Sequence, residues 1–480
     1  MTEAGDVNLG WESVKALVAK FLMAATGFAG IIIFTRLVEK SDFGGYYLLL
    51  SLVFLSNRPV QGFCQAIRKR WAESGSPKRE ILGVILLVDA VAFVVVGVLV
   101  FALRPLLIAY TGLQGSTLVF IAIFGSLLLF FPFQQIMGAM GWPSKQVWND
   151  AFRSLLTLPL QVALVLSGLG ALGMGYGLAS ATLLSTPVAV YFIGMRPAVP
   201  TRETLESLWA YGRYSTPNAI VGETYSRIDL LLLGFLIGTV PVANYEVAFK
   251  LTTPASFASG VVATALMPKI SNTISKGGEF VEDAKNSISY VSVLAIPIFF
   301  GALAIPKPLV VTAFEPKYAS AAPYLVGLAL YQVIATQTTV YFQTLSGMGL
   351  PNIVLKVNSA TLLFNIIIGV VLAVIIGPLG VVVATILAEG LKYLLTMHSV
   401  IRRVDGITVV PRPLVMQVVA GVAMYLVVEL LHARIPVNSW LNLGILVGAG
   451  AIVYGLVLLI ISPGIRVTVR SIYGDAIAGL

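Results

Sequence analysis

The feature that most narrows what this chain can fold into is a train of apolar runs, each about 20 residues long, which recur from end to end with only short polar breaks between them. A run of that length matches the hydrocarbon thickness of a bilayer, and a helix satisfies its own backbone hydrogen bonds inside lipid. The pattern therefore predicts an all-α, polytopic membrane protein. Composition agrees: 58% of the 480 residues are hydrophobic and 11% are charged, with a mean hydropathy of +0.91. Soluble domains carry about 25% charged residues.

The run from Val14 to Phe34 is too long for a signal-peptide core, and no small-residue cleavage site follows it, so it reads as a retained first helix. Further helices are expected near 43–66, 81–103, 117–138, 150–168, 172–194, 213–238, 243–267, 287–306, 321–345, 353–376, 379–400, 414–431 and 441–461. That makes about fourteen, or twelve if the last two are re-entrant or peripheral. Twenty-one of the 31 Lys and Arg fall on one set of connections and six on the other. Arg58, Arg227, Lys250 and Lys392 lie within helices. By the positive-inside rule this split places both termini in the cytoplasm. The same rule accounts for the net charge of +9, so no nucleic-acid partner is inferred from it. A single cysteine, Cys64, excludes an internal disulfide, and His398 and His432 give no metal-site spacing, so no metal or cofactor is expected.

The chain repeats itself. Asp42-Phe43-Gly44-Gly45-Tyr46 has its counterpart in Pro241-Val242-Ala243-Asn244-Tyr245 at an offset of 199. Met140-Gly141-Trp142-Pro143 matches Met348-Gly349-Leu350-Pro351 at 208, and Gly170-Ala171-Leu172-Gly173 matches Gly377-Pro378-Leu379-Gly380 at 207. Three matches in chain order at nearly one offset imply two six-helix lobes in the same orientation, residues 1–200 and 201–403, related by a pseudo-two-fold axis along the membrane normal. Residues 404–480 add two helices and a tail. Parallel repeats of this kind hold a substrate site between the lobes and rock one against the other.

Ionisable residues inside apolar runs cost roughly 3 kcal/mol each on insertion scales, so they mark function by default. The stretch from Pro217 to Lys250 carries Glu223, Arg227, Asp229, Glu246 and Lys250. Arg58 sits beside Pro59 in the second helix, flanked by Asn57 and Gln61, with no acid at i±3 or i±4. Two readings stand. Glu223 and Arg227 are spaced i,i+4, as are Glu246 and Lys250, so each pair is able to neutralise itself on one helix face. Arg58 either lines a polar cavity, snorkels or pairs with Asp89. Asp89, Asp229 and Glu429 lack an opposite charge one turn away, whereas Glu389 and Lys392 are i,i+3 neighbours. No GxxxxGK[ST] loop, HExxH or GxSxG occurs, so neither an ATP-driven pump nor a hydrolase is indicated.

The stretch FTRLVEKSDFGGYYLLLSLVF after the first helix resembles the hallmark of Wzx-type polysaccharide flippases, of the multidrug/oligosaccharidyl-lipid/polysaccharide exporter superfamily. SRIDLLLLGFLIGTVPVANYEVAFKLTTP, ALMPKIS and IPIFFGALAIPKPLVVTAFEPKYASAAPYL resemble the second-half signature of the same family, and the likeness extends from about Lys15 to Arg403. The resemblance implies a secondary transporter, not an enzyme, in the cell membrane. It would move a polyprenyl phosphate- or diphosphate-linked oligosaccharide from the cytoplasmic to the outer leaflet by alternating access. Such a headgroup needs a partly cationic cavity. Arg58, Arg227 and Lys250 are the expected phosphate contacts, one cation at least from each lobe, with Asn57 and Gln61 for sugar hydroxyls. Asp89, Glu223, Asp229 and Glu246 are counter-ions or sites for a coupling Na⁺ or proton. The rivals are a multidrug extruder of the same fold, whose cavity should hold acids without cations, and a membrane-embedded polymerase or glycosyltransferase, which needs a longer catalytic loop than any present. The anion-binding reading fails if Arg58, Arg227 and Lys250 are all tied up by acids or turned outward to lipid and no wet chamber divides the lobes.

Overall fold

The computed structural model describes residues 9–73 and 75–466. The polar start of the chain and the tail with Arg470, both assigned above to the cytoplasm, lie outside the described residues. Among the described residues the fold is all-helical, with eighteen α-helices joined by short turns. Among the described residues ten helical runs are long and apolar enough to cross a membrane. The stretches that fall short of that apolarity include α2 (Lys40–Ala72), α8 (Arg202–Leu236) and the pair α9 (Thr239–Thr252) and α10 (Phe257–Ser275), which hold Arg58, Glu223, Arg227, Asp229, Glu246 and Lys250. The protein is a polytopic membrane protein, and its outer face is correspondingly apolar: Val94, Val98 and Phe101 on α3 (Lys78–Ala102) are exposed, as are Val374 and Ile375 on α15 (Pro351–Ile376). Lipid removes the hydrophobic drive between helices, so close packing and polar contacts hold them together.

Packing divides the chain into two compact units, with the boundary between Ala243 and Asn244 inside α9. The first unit begins with α1 (Leu9–Leu37), α2 and α3, then the short α4 (Arg104–Thr111) and α5 (Ser116–Ala139). It continues through α6 (Pro143–Leu164), α7 (Gly170–Ile193) and α8, and its core includes Phe43, Leu48, Leu49, Phe124 and Phe130. The second unit contains α10, α11 (Val281–Tyr290), α12 (Ala295–Ala304) and α13 (Pro306–Phe314). These lead into α14 (Ala322–Gly347), α15, α16 (Pro378–Ile401), α17 (Arg412–His432) and α18 (Trp440–Ile461). One of its cores gathers Ile270, Ile288, Tyr341 and Val400; another gathers Ile296, Ala420, Leu446 and Leu458.

The matched sequence pairs adopt matched turns. Gly141 and Gly349 are left-handed, with φ of 78° and 72°. In each turn the residue after the glycine reaches back five residues, Trp142 N to Met137 O at 3.2 Å and Leu350 N to Leu345 O at 3.1 Å. Pro143 and Pro351 then open the next helices, a position where the missing N–H costs nothing. Gly170 and Gly377 likewise share a conformation open only to glycine, φ 52° and ψ −136° against φ 71° and ψ −152°.

Three predicted helices differ most from those observed, and the one expected over 150–168 begins earlier, at Pro143. The helix expected from 213 begins at Arg202, because Thr201 Oγ1 accepts from Thr204 N at 3.4 Å and caps an earlier start. The helix expected over 243–267 is interrupted by a 3₁₀ turn at Thr253–Ser256, which contains Pro254. The helix expected over 287–306 is broken between Tyr290 and Ala295.

Candidate functional site

The site is built where α2 and α8 run antiparallel in the first unit. At one end of the contact the two backbones touch: a Cβ on Gly62 would lie 2.6 Å from Thr216 Cα, and Ser215 Oγ donates to Gly62 O at 2.7 Å. At the other end Leu48 packs onto Gly234. Between these contacts the register brings Arg58 of α2 to Glu223 of α8.

Arg58 Nε donates to Glu223 Oε2 at 2.6 Å, and Nη2 contacts the same oxygen. Arg227 Nε donates to the other oxygen, Glu223 Oε1, at 3.0 Å, while its guanidinium lies 4.9 Å over the ring of Phe54. From Arg58 a polar chain continues along α2: Nη1 donates to Gln61 Oε1 at 2.7 Å, and Gln61 Nε2 donates to Asn57 Oδ1 at 2.9 Å. Glu223 is 4% exposed, against 37% and 28% for the two arginine side chains. A carboxylate this deep needs a partner, since stranding one in a low-dielectric interior costs several kcal/mol. Here one carboxylate serves two guanidinium groups, leaving the cluster with one excess positive charge. Each guanidinium has about five N–H donors. Arg58 uses three in these contacts and Arg227 one, so the cluster keeps donors for an oxyanion.

The remaining candidates are placed as follows. Lys250 pairs with Glu246 at 3.3 Å along α9, as the i,i+4 spacing allows. Asp229 is buried on α8. Asp89 does not meet Arg58, which turns instead to Glu223. Its two carboxylate oxygens are buried without a hydrogen-bond partner among the described residues, and it borders a cavity of about 440 Å³ with Phe93, Ser126 and Leu183. All three cations thus have acid partners, one part of the outcome set against the anion-binding reading. Arg58 and Arg227 converge on one carboxylate within one compact unit, and Lys250 belongs to the other. Phe54 was missed. Its signal was an aromatic one helical turn before Arg58, too common in this chain to stand out.

A family model described as polysaccharide biosynthesis protein matches residues 33–323. The chain is 25% identical over 464 residues to the probable flippase AglR of Haloferax volcanii, covering 94% of this chain and 96% of that protein. Its fold is that of the lipid II flippase MurJ in an inward closed conformation, with a TM-score of 0.79 at 15% identity over 94% of this chain and 100% of the other. An inward-facing multidrug resistance MATE family transporter of the MOP superfamily is more distant, with a TM-score of 0.61 at 15% identity over 82% of this chain and 100% of the other. With three-fifths of its length matched by the family model, the chain belongs to the polysaccharide biosynthesis protein family.

Proposed function

We propose that this protein flips a lipid-linked oligosaccharide, carried on polyprenyl phosphate or diphosphate, from the cytoplasmic to the outer leaflet by alternating access, in surface-polysaccharide or glycoprotein assembly. Family membership, a relative named as a probable flippase and the fold of a lipid II flippase support the reading. The observation that carries it is the shared carboxylate. A headgroup phosphate takes donors from Arg58 or Arg227 while Glu223 stays on the other arginine, so no buried charge is stranded during the exchange. Arg58 grips through parallel donors, and Gln61 and Asn57 follow it toward the sugar. Release is the reverse exchange. Lys250, held by Glu246, is a further candidate cation for substrate phosphate.

The ten apolar runs become fourteen crossings when α6 and α7 are counted separately and α2, α8 and α9–α10 are added. The proposed topology has both termini in the cytoplasm. The proposed lobes are 1–200 and 201–403, with the last two helices appended, and the coupling ion is Na⁺ or a proton, with Asp89, Asp229 or Glu246 to receive it. A multidrug extruder shares the fold but leaves the arginines without a purpose, since an organic cation is repelled by a cluster of net charge +1.

Cells carrying Arg58→Ala are expected to lose surface glycan while the protein inserts at the wild-type level. Undiminished glycan would refute the role of Arg58, and organic-cation efflux by reconstituted wild-type protein without oligosaccharide flipping would favour the extruder.

A further inference from the structure

The helix expected over 287–306 breaks for a local reason. Pro297 has no N–H to give the carbonyl of Val293, and its ring crowds that carbonyl. The ladder tightens ahead of it: Val293 N donates to Tyr290 O at 3.1 Å instead of to Ser289 O. Regular bonding resumes only at Ile296 N, which donates to Ser292 O at 3.0 Å. In a membrane segment each freed carbonyl needs another donor, and three side chains supply them. Gln337 Nε2 on α14 donates to Ile288 O at 3.1 Å. Gln417 Nε2 on α17 donates to Ser289 O at 2.7 Å. Tyr454 Oη on α18 donates to Val293 O at 3.1 Å. Ser292 ties the turn to α14 as well, with Thr336 Oγ1 at 2.8 Å and Gln337 Nε2 at 2.9 Å. Gln337, Tyr454 and Thr336 are buried, and Gln417 and Ser292 completely. One repeat earlier, α3 has no internal proline and runs unbroken for 25 residues.

We propose that the break at 291–294 is a hinge of the transport cycle, and that Gln417 and Tyr454, on the two helices beyond residue 404, are the positioning residues that hold it open. The proposal rests on the transport reading only for its flipping arm. A helical ladder bends only by losing main-chain bonds, whereas here the bonds run to single side chains on three neighbouring helices, and each can be exchanged alone. Spare acceptors stand beside them: Gln337 Oε1 and Gln417 Oε1 are buried without partners among the described residues, available to backbone N–H groups as the turn changes shape. Hinges are a few loop or element-terminal residues that absorb the φ/ψ change, and residues 291–294 join the ends of two helical segments. The appended pair α17–α18 thereby acquires a task in the cycle beyond covering α12.

The test is amide hydrogen exchange over residues 290–298 in the full-length protein in nanodiscs, together with flipping of a fluorescent polyprenyl-diphosphate-linked oligosaccharide in proteoliposomes. Tyr454→Phe, which deletes only the hydroxyl, and Gln417→Leu are expected to speed exchange about tenfold. Pro297→Ala restores the N–H, and is expected to slow exchange about tenfold and flipping at least about fivefold. In the Pro297→Ala background Tyr454→Phe should have no further effect on exchange, because Val293 O then has a main-chain donor. Wild-type exchange and flipping in Pro297→Ala overturn the proposal, as does an equal effect of Tyr454→Phe in both backgrounds. The expected exchange pattern in a protein that flips no oligosaccharide supports the device and overturns only the transport reading. Should Tyr454→Phe fail to insert, Pro297→Ala decides alone.

Discussion

Glu223 settles the charges of two long helices, and its neutral isostere isolates what that does. Glu223→Gln keeps the shape and removes the charge, leaving two guanidinium groups facing each other. Both are partly exposed, so the expected loss of stability is modest, about 1–2 kcal/mol, less than for a fully buried pair. A phosphate headgroup analogue should bind more tightly and flipping should slow, since nothing remains to reclaim the arginines. Thermal unfolding, calorimetric binding and a flipping assay check the three; tighter binding with faster flipping would contradict the exchange account. Arg58→Lys is expected to keep only part of the activity, because a point charge cannot hold Glu223 and Gln61 together as the planar fork does. Its flipping rate should fall between those of wild type and Arg58→Ala, and a rate equal to wild type would contradict the bridging role. Arg58 was legible in the sequence because no acid stands one turn from it. Its partner was not: Glu223 lies 165 residues away, and rules of helix spacing see only the same helix. Those rules left Asp89 as the named candidate partner, which the structure leaves without Arg58.

At the scale of elements, the site depends on how closely α2 approaches α8. Gly62→Val would push a side chain into Thr216 Cα, which is main chain and cannot swing away. The expected cost is about 1–3 kcal/mol of stability, with flipping lost as Arg58 and Glu223 move out of register. An unchanged melting temperature and rate would contradict this placing of the helices. The repeated turns were readable because glycine with positive φ followed by proline at a helix start leaves a fixed spacing, 140–143 and 348–351. Pro297 was equally visible, yet proline is frequent in membrane helices. Whether it kinks or breaks one depends on donors such as Gln417 and Tyr454, more than a hundred residues further on. Thr201 shows the opposite case, a start signal in plain view that the apolar pattern, which begins later, concealed.

For the molecule as a whole, hydropathy made the membrane class and most helices legible, since lipid demands long apolar runs whatever the packing. It was least exact where charge interrupts the runs: α8 starts earlier than expected and α9–α10 is interrupted, and with α2 these are the helices that carry the candidate site. The central claim is that an anionic headgroup is received by exchange at Glu223. The most direct measurement is calorimetric titration of the purified protein with a short-chain polyprenyl diphosphate, comparing wild type with Arg58→Ala, Arg227→Ala and the double variant. The account predicts affinity at least about tenfold weaker in each single variant, in the range of a charge-assisted hydrogen bond. It also predicts little further loss in the double variant, because the two arginines act through one carboxylate. Equal affinity in all four proteins would contradict it.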